Sequence, residues 1–278
     1  MREEIQLKRS SRLIDLTIYF NNHPNVRTPL TYFSERFSAA KSSISEDLAI
    51  LKKYYEQENI GELITISGVT GGVVFIPRDS KEMVKRNLDK MITEIQSKNR
   101  LLPGGYLYIS DIISSPHHVR TIGSALASAF QDEKIDVIMT IATKGIPIAY
   151  AIASFINVPV ICVRQSLEVT EGSMVTIYYE SGSKNTLYSM GLSRHALQKG
   201  QRVLVVDDLL KVGGTIRGMA QIVQEFEAEL VGIGVFIESS GHPRIQEDYV
   251  SLIKYDENII KDNQPFLTYG NIGSYLKN

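Results

Sequence analysis

Two adjacent acids followed at short range by a glycine pair form the chemistry-bearing pattern of this chain. In Val203-Leu-Val-Val-Asp207-Asp208-Leu-Leu-Lys211-Val212-Gly213-Gly214-Thr215, an apolar run ends in two carboxylates and a short loop reaches Gly-Gly-Thr. Carboxylates accept hydrogen bonds from sugar hydroxyls. Loop amides and a helix N-terminus hold a phosphate through their N–H groups and the positive end of the helix dipole. Ile216, Met219, Ala220, Val223 and Phe226 follow at helical spacing, so the loop opens a helix. Together these features describe a cradle for a phosphorylated sugar.

A second loop fits the same purpose. The apolar strand Asp136-Val-Ile-Met-Thr-Ile141 runs into Ala142-Thr143-Lys144-Gly145, which opens the helix 146–156. Lys144 can neutralise phosphate charge, and Gly145 lets a ligand approach the backbone. Ligands of open α/β sheets sit at the carboxyl ends of the strands, where both loops fall. Three other readings compete. An ordinary strand-to-helix turn with solvated acids is one. A receiver domain has similar acids at the end of its first strand, yet only residues 209–278 follow here, short of a domain of about 100 residues or more. A Walker A loop needs lysine after its glycines, and Lys211 precedes them.

The elements that must position these loops alternate from Tyr106 onward. Helices are expected over 114–131 and 146–156, and strands over 136–141, 158–163, 202–206 and 230–237. Continuous apolar strands between helices indicate an α/β fold, a parallel sheet with helices on both faces. Residues 165–192 break the rhythm with polar, glycine-rich sequence and two short strand-like pieces, 176–180 and 186–192, and read as a mobile flap. Tyr106 and Tyr108, at the first strand, are candidates to face a base or ribose. Of Tyr178 and Tyr179, which alternate along a strand, at least one packs inward. His117, His118 and His195 show no partner in sequence and read as surface residues.

The first block, 1–78, has a different pattern. Leu13, Ile14, Leu16, Thr17 and Phe20 suggest a first helix, residues 31–37 a second, Ser38-Ala-Ala40 a tight turn, and Lys41–Tyr55 a third helix burying Ile44, Leu48, Leu51 and Tyr55. Strands 62–67 and 73–76 flank Gly68-Val-Thr-Gly-Gly72, a hairpin whose tip includes Thr70. This order is that of an N-terminal winged helix-turn-helix domain, a DNA-reading architecture. Nine basic residues precede position 56 against six acidic ones, a local excess in a chain whose net charge is −1. Lys8, Arg9, Arg12, Arg36 and Lys41 are candidates to contact DNA phosphates. Lys41, Ser42, Ser43 and Ser45 open the third helix and are candidates for groove edges or phosphates. Residues 79–105 read as a charged connecting helix, with Met83, Leu88, Met91, Ile92 and Ile95 as its stripe, and a linker broken at Arg100-Leu-Leu-Pro-Gly-Gly105. Residues 106–278 form the second domain.

Bulk properties agree with a globular chain: 278 residues, 43% hydrophobic and 22% charged. A single cysteine, Cys162, rules out an intrachain disulfide and reads as a buried reduced thiol. No direct metal-ligand cluster is evident. With no signal-peptide core at the start and no apolar run of membrane length, the expectation is a cytoplasmic protein without membrane contact.

The run Val203–Thr215 resembles the phosphoribosyl-pyrophosphate (PRPP) signature of type I phosphoribosyltransferases. The resemblance implies that Asp207 and Asp208 hold the ribose hydroxyls and that Lys211, Val212, Gly213, Gly214 and Thr215 wrap the 5′-phosphate. It assigns Thr143, Lys144 and Gly145 to the pyrophosphate and residues 165–190 to a loop that closes over the ligand. Enzymes of this class place small or hydroxyl residues where this chain has Lys211 and Val212. From Lys8 to about Gly234 the whole arrangement resembles the purine operon regulators (PurR) of Gram-positive bacteria. The resemblance runs through Pro29-Leu-Thr-Tyr-Phe-Ser-Glu-Arg36, Ala40-Lys-Ser-Ser-Ile-Ser-Glu-Asp-Leu48, Leu102-Pro-Gly-Gly-Tyr106, Ala142-Thr-Lys-Gly-Ile146, Val169-Thr-Glu-Gly-Ser173 and Lys211-Val-Gly-Gly-Thr215. Lys211 departs from the enzymes and matches these regulators. The resemblance implies a homodimeric regulator of purine synthesis genes that binds double-stranded operator DNA and takes PRPP, with Mg²⁺, as effector at a catalytically inactive type I phosphoribosyltransferase-like domain. The alternative is an active purine phosphoribosyltransferase that regulates its own synthesis through DNA binding. Nothing is carried over to the last forty residues.

Overall fold

The computed structural model describes residues 8–68, 71–97, 100–103, 106–165, 172–181, 186–240, 245, 247–261 and 264–276. Thr70 of the expected hairpin tip, Gly104 and Gly105, and residues 166–171 and 182–185 of the expected flap lie outside the described residues. The chain divides into two compact units, Met1–Asp79 with Ser154–Asn157, and Ser80–Ala153 with Val158–Asn278. Among the described residues no helix is long and apolar enough to cross a membrane.

The first unit holds α1 (Arg9–Asn22), α2 (Leu30–Phe37), α3 (Lys41–Gln57), β1 (Gly61–Ile66) and β2 (Gly72–Pro77). Its core is the set that the helical spacing picks out: Leu16, Phe20, Phe33, Phe37, Ile44, Leu48, Leu51 and Tyr55, closed by Leu63, Val73 and Phe75 of the antiparallel hairpin. Ile14 points outward instead, 62% exposed, because it stands on the face of α1 away from α3 and the hairpin. The turn between α2 and α3 works through Ser38, which takes a left-handed conformation at φ +46°. Its N–H returns to the carbonyls of Ser34 and Glu35 and caps α2.

In the second unit, α4 (Lys81–Gln96), β3 (Leu101–Leu102), β4 (Tyr106–Leu107), α5 (Ser110–Ile113) and α6 (Pro116–Ala129) come first. They are followed by β5 (Val137–Ile141), α7 (Gly145–Ile156, whose last three residues are grouped with the first unit), β6 (Val160–Val163), β7 (Met174–Ser181) and β8 (Thr186–Ser193). The chain ends with β9 (Arg202–Leu210), α8 (Gly214–Glu225), β10 (Glu229–Ser239), β11 (Val250–Lys261) and β12 (Gln264–Tyr269), then a 3₁₀ turn, Ile272–Ser274. Six strands form one sheet in the order β12-β11-β10-β9-β5-β6, parallel except for the edge strand β12. Alternation along β10 shows both faces covered. Ile233 and Val235 join the cluster of Ile216, Met219 and Val223 on α8, while Gly232 and Gly234 lie beneath Phe130 and Leu126 of the α6 segment.

Several expectations are corrected. The expected connecting helix within 79–105 is α4, and it belongs to the second unit, capped by Ser80 and packed on β11, β12 and α6. The sequence stripe misses Val84, which is buried with Leu88, Met91 and Ile95. Arg100, read as part of a helix-breaking linker, is 2% exposed and grips Asp111 with two bonds of 2.5 and 2.8 Å. That pairing holds the Asp111 carboxyl below its usual range. The strand-like pieces of the expected flap form the antiparallel hairpin β7–β8, packed on α8: Ile177 and Met190 close over Gly218, and Tyr179 is buried while Tyr178 is exposed. Burial of that kind opposes lifting this part of the segment. Cys162 is half-buried rather than buried. His118 has a partner, the Glu94 carboxylate at 2.9 Å.

Candidate functional site

β9 does not end before the acids. It pairs with β10 through Asp207 and on to Leu210, so both carboxylates belong to the strand and only Lys211, Val212 and Gly213 separate it from α8. Alternation puts Asp207 on the face of Val203 and Val205, toward α8, where it is 5% exposed. Asp208 is half-buried and donates its backbone N–H to Asp207 Oδ1 at 2.9 Å. Burial, and then the neighbouring Asp208 charge, push the Asp207 carboxyl well above the ordinary range. Such a carboxyl gains from any ligand that brings hydroxyl donors or positive charge to it.

The loop after β9 turns tightly into α8. Gly213 adopts φ +88°, and a Cβ there would meet Ile245 Cγ2 at 2.1 Å. Gly214 begins α8, so the helix's free N–H groups open onto the loop, with Thr215 half-buried in the first turn. Gly213→Ala is therefore expected to cost about 2 kcal/mol of stability and to weaken anion binding, both readable by thermal melts with and without ligand. An unchanged melting temperature would show that the turn tolerates a side chain.

The second loop stands beside the first because β5 pairs directly with β9, Thr140 opposite Val206. Thr143 and Lys144 are exposed and Gly145 is buried. The Ala142–Thr143 peptide is cis. A Cβ on Gly145 would meet Thr140 Oγ1 at 2.2 Å and lie 3.5 Å from the Val206 carbonyl oxygen, so only glycine lets this loop turn so close to the strand carrying the acids. The structure thus brings Asp207, Asp208, Gly213, Gly214, Thr215, Thr143, Lys144 and Gly145 to the carboxyl ends of two neighbouring strands.

Lys211 and the two tyrosines are arranged differently from a simple phosphate-and-base layout. Lys211 Nζ lies 3.1 Å from Glu257 Oε1 and 5.0 Å from the centre of the Tyr106 ring. Glu257 also accepts from the Ser239 hydroxyl at 2.7 Å. Tyr106 and Tyr108 are both partly exposed, and Arg100 donates to the Tyr108 carbonyl at 3.1 Å. Sequence reasoning missed Glu257, Ser239 and Ile245 because no motif marks them; they reach the cradle only through the fold. Among the described residues, no group of three or more His, Cys, Asp or Glu is placed to hold a metal ion.

In the first unit, Lys8 and Lys41 are exposed, Lys41 at the start of α3. Ser42 and Ser45 are exposed and Ser43 half-buried; Ser45 Oγ donates to the Lys41 carbonyl at 2.9 Å. The arginines have work inside the unit. Asp47, fully buried, accepts from Arg9 Nε at 3.0 Å and Arg12 Nε at 2.7 Å, and so ties α1 to α3. Arg12 is only 12% exposed and acts as a clamp, whereas Arg9 keeps half its side chain in solvent. Arg36 pairs with both oxygens of Asp15, at 3.0 and 2.7 Å, which raises its pKa further. Lys8 ahead of α1, and Lys41 and Ser42 at the start of α3, are exposed to solvent.

Comparison with known proteins agrees with this division. Residues 8–77 match the family model described as bacterial purine repressor, N-terminal, and residues 109–267 match the phosphoribosyl transferase domain. The chain is 43% identical over 274 residues to the purine biosynthesis transcriptional repressor PurR of Bacillus subtilis, covering 98% of this chain and 96% of that one. It is 41% identical over 267 residues to the purine biosynthesis transcriptional activator PurR of Lactococcus lactis subsp. lactis, covering 96% and 98%. The solved adenine phosphoribosyltransferase of Thermoanaerobacter pseudethanolicus shares the fold of the second unit, with a TM-score of 0.50 and 24% identity over 59% of this chain and 99% of that one. A winged helix and a type I phosphoribosyltransferase-like sheet, matched along nearly the full length by these regulators, place the chain in the PurR family of purine biosynthesis transcriptional regulators.

Proposed function

We propose that this protein is a DNA-binding regulator of purine biosynthesis genes that senses PRPP through a phosphoribosyltransferase fold without catalysing transfer. One observation carries the reading: a single chain combines a winged helix with an intact acid-pair and glycine-loop cradle on a sheet of the transferase type. In this reading Asp207 and Asp208 hold ribose hydroxyls, the Gly213–Thr215 turn holds the 5′-phosphate, and Thr143, Lys144 and Gly145 face the pyrophosphate. Mg²⁺ carried with PRPP would supply charge neutralisation next to the pyrophosphate that Thr143, Lys144 and Gly145 face. The protein acts as a homodimer, since two-fold operators match two-fold proteins. The relatives are named both repressor and activator. The sign of control depends on which DNA-binding state PRPP prefers, since a ligand shifts an equilibrium only by its differential affinity.

A gel shift on operator DNA at fixed salt, with and without PRPP, is the direct test. PRPP at cellular concentration changes the bound fraction; no change would remove PRPP as effector. Turnover of PRPP with guanine, xanthine or hypoxanthine at ordinary enzyme rates would favour the transferase alternative. Lys41→Ala is expected to weaken operator binding and to reduce the slope of log K against log salt by about 1. An unaltered slope would take Lys41 out of the interface.

A further inference from the structure

The cradle's lysine is already neutralised from within. Lys211 Nζ sits 3.1 Å from Glu257 Oε1, the Ser239 hydroxyl holds that same oxygen at 2.7 Å, and the Tyr106 ring lies beneath the ammonium. Both partners of the ion pair are largely shielded, the lysine 20% and the glutamate 17% exposed. Lys211 is the first residue of the three-residue loop that leads to Gly214 and the start of α8. Its positive charge is therefore next to the anion site yet satisfied by a carboxylate that arrives from β11, a strand outside every motif of the cradle.

We infer that Glu257 is an affinity-setting residue: an internal carboxylate that competes with the ligand's phosphate groups for Lys211. An anion entering the loop must draw Lys211 away from Glu257 or bind with the Glu257 charge close by, and either raises the concentration needed for occupancy. The Ser239 bond strengthens the competitor by fixing Glu257 in position. This inference rests on the reading of PRPP as the ligand.

The test is isothermal titration of PRPP with Mg²⁺ into the full-length protein, wild type against Glu257→Gln. Glutamine keeps the shape and removes the charge. The Kd for PRPP is expected to fall about fivefold, the value of a partly shielded ion pair. Adding Lys211→Met to Glu257→Gln is expected to erase that gain, since the released ammonium is what the ligand uses. A Kd unchanged or raised in Glu257→Gln overturns the assignment, and so does a gain that survives in the double variant, which would make Glu257 a diffuse repulsive charge. Should Glu257→Gln melt below the assay temperature, Ser239→Ala serves instead, with a smaller decrease in Kd expected and no decrease counting against the assignment. Wild-type protein that binds no PRPP would overturn the ligand reading itself, whereas wild-type binding with an unchanged Glu257→Gln affinity overturns the competitor alone.

Discussion

Asp207→Asn is expected to shift the PRPP response to much higher PRPP concentration while making the protein more stable at neutral pH. The two effects have one origin. Asp207 is 5% exposed, and burial together with the adjacent Asp208 raises its carboxyl well above the ordinary range. In the unfolded chain the same group titrates at its ordinary value, about 3.9. A folded pKa above the unfolded one means stability that is fully present below the unfolded value and lost as pH rises through the folded value. At neutral pH the wild type bears this loss and the asparagine variant does not. A gain of about 1 kcal/mol, or about 2–4 °C in Tm for a unit of this size, is expected near pH 7.5 and shrinks as pH falls. The functional loss is larger. Losing a buried acceptor for the ligand's hydroxyls costs about 1–3 kcal/mol, so PRPP affinity falls by about five- to a hundredfold. Paired thermal melts across pH and PRPP titrations check both parts. A variant that binds PRPP like the wild type would remove Asp207 from the site, and a Tm gain independent of pH would remove ionisation as its cause.

Asp47→Ala is expected to cost the first unit about 3 kcal/mol, because breaking a buried ion pair removes its gain and leaves charge desolvated. Asp47 is completely buried and is the shared acceptor for Arg9 and Arg12, so its removal loosens α1 from α3. Operator binding falls as a consequence, whereas PRPP binding by the second unit is retained. Asp47→Asn keeps an acceptor and is expected to lose less. Denaturant unfolding of the full chain should show an early transition in Asp47→Ala. A single transition at the wild-type midpoint would show that the clamp contributes little.

Local order was legible where local rules govern. The 3.6-residue spacing of Ile44, Leu48, Leu51 and Tyr55 marks the buried face of α3, and those four are buried there together with Asp47, which the apolar pattern does not pick out. The apolar runs that end at Ile141 and Val206 mark central parallel strands, because strands covered on both faces carry no alternation. The acid pair and the glycines were visible because they are consecutive, and a loop ligand is held by consecutive backbone groups. Illegible were pairings between residues remote in sequence. The stripe of α4 reveals an apolar face but not that β11 and β12 cover it. Residues 174–181 and 186–193 look polar enough for a free flap, yet Ile177, Tyr179 and Met190 are enough to dock the hairpin. Arg12 reads as a surface cation until Asp47 is seen beneath it.

Residue order alone determined that this chain pairs a helix-turn-helix block with an α/β sheet carrying an acid pair and a glycine loop, because periodicity and contiguous motifs are properties of neighbours along the chain. Tertiary structure decided which charges are available. It consigns Arg12 to Asp47, couples Lys211 to Glu257 and Tyr106, and buries Asp207 beside Asp208. The strength of an electrostatic contact depends on burial and on distance in space, and both are set only when strands and helices far apart in sequence come together.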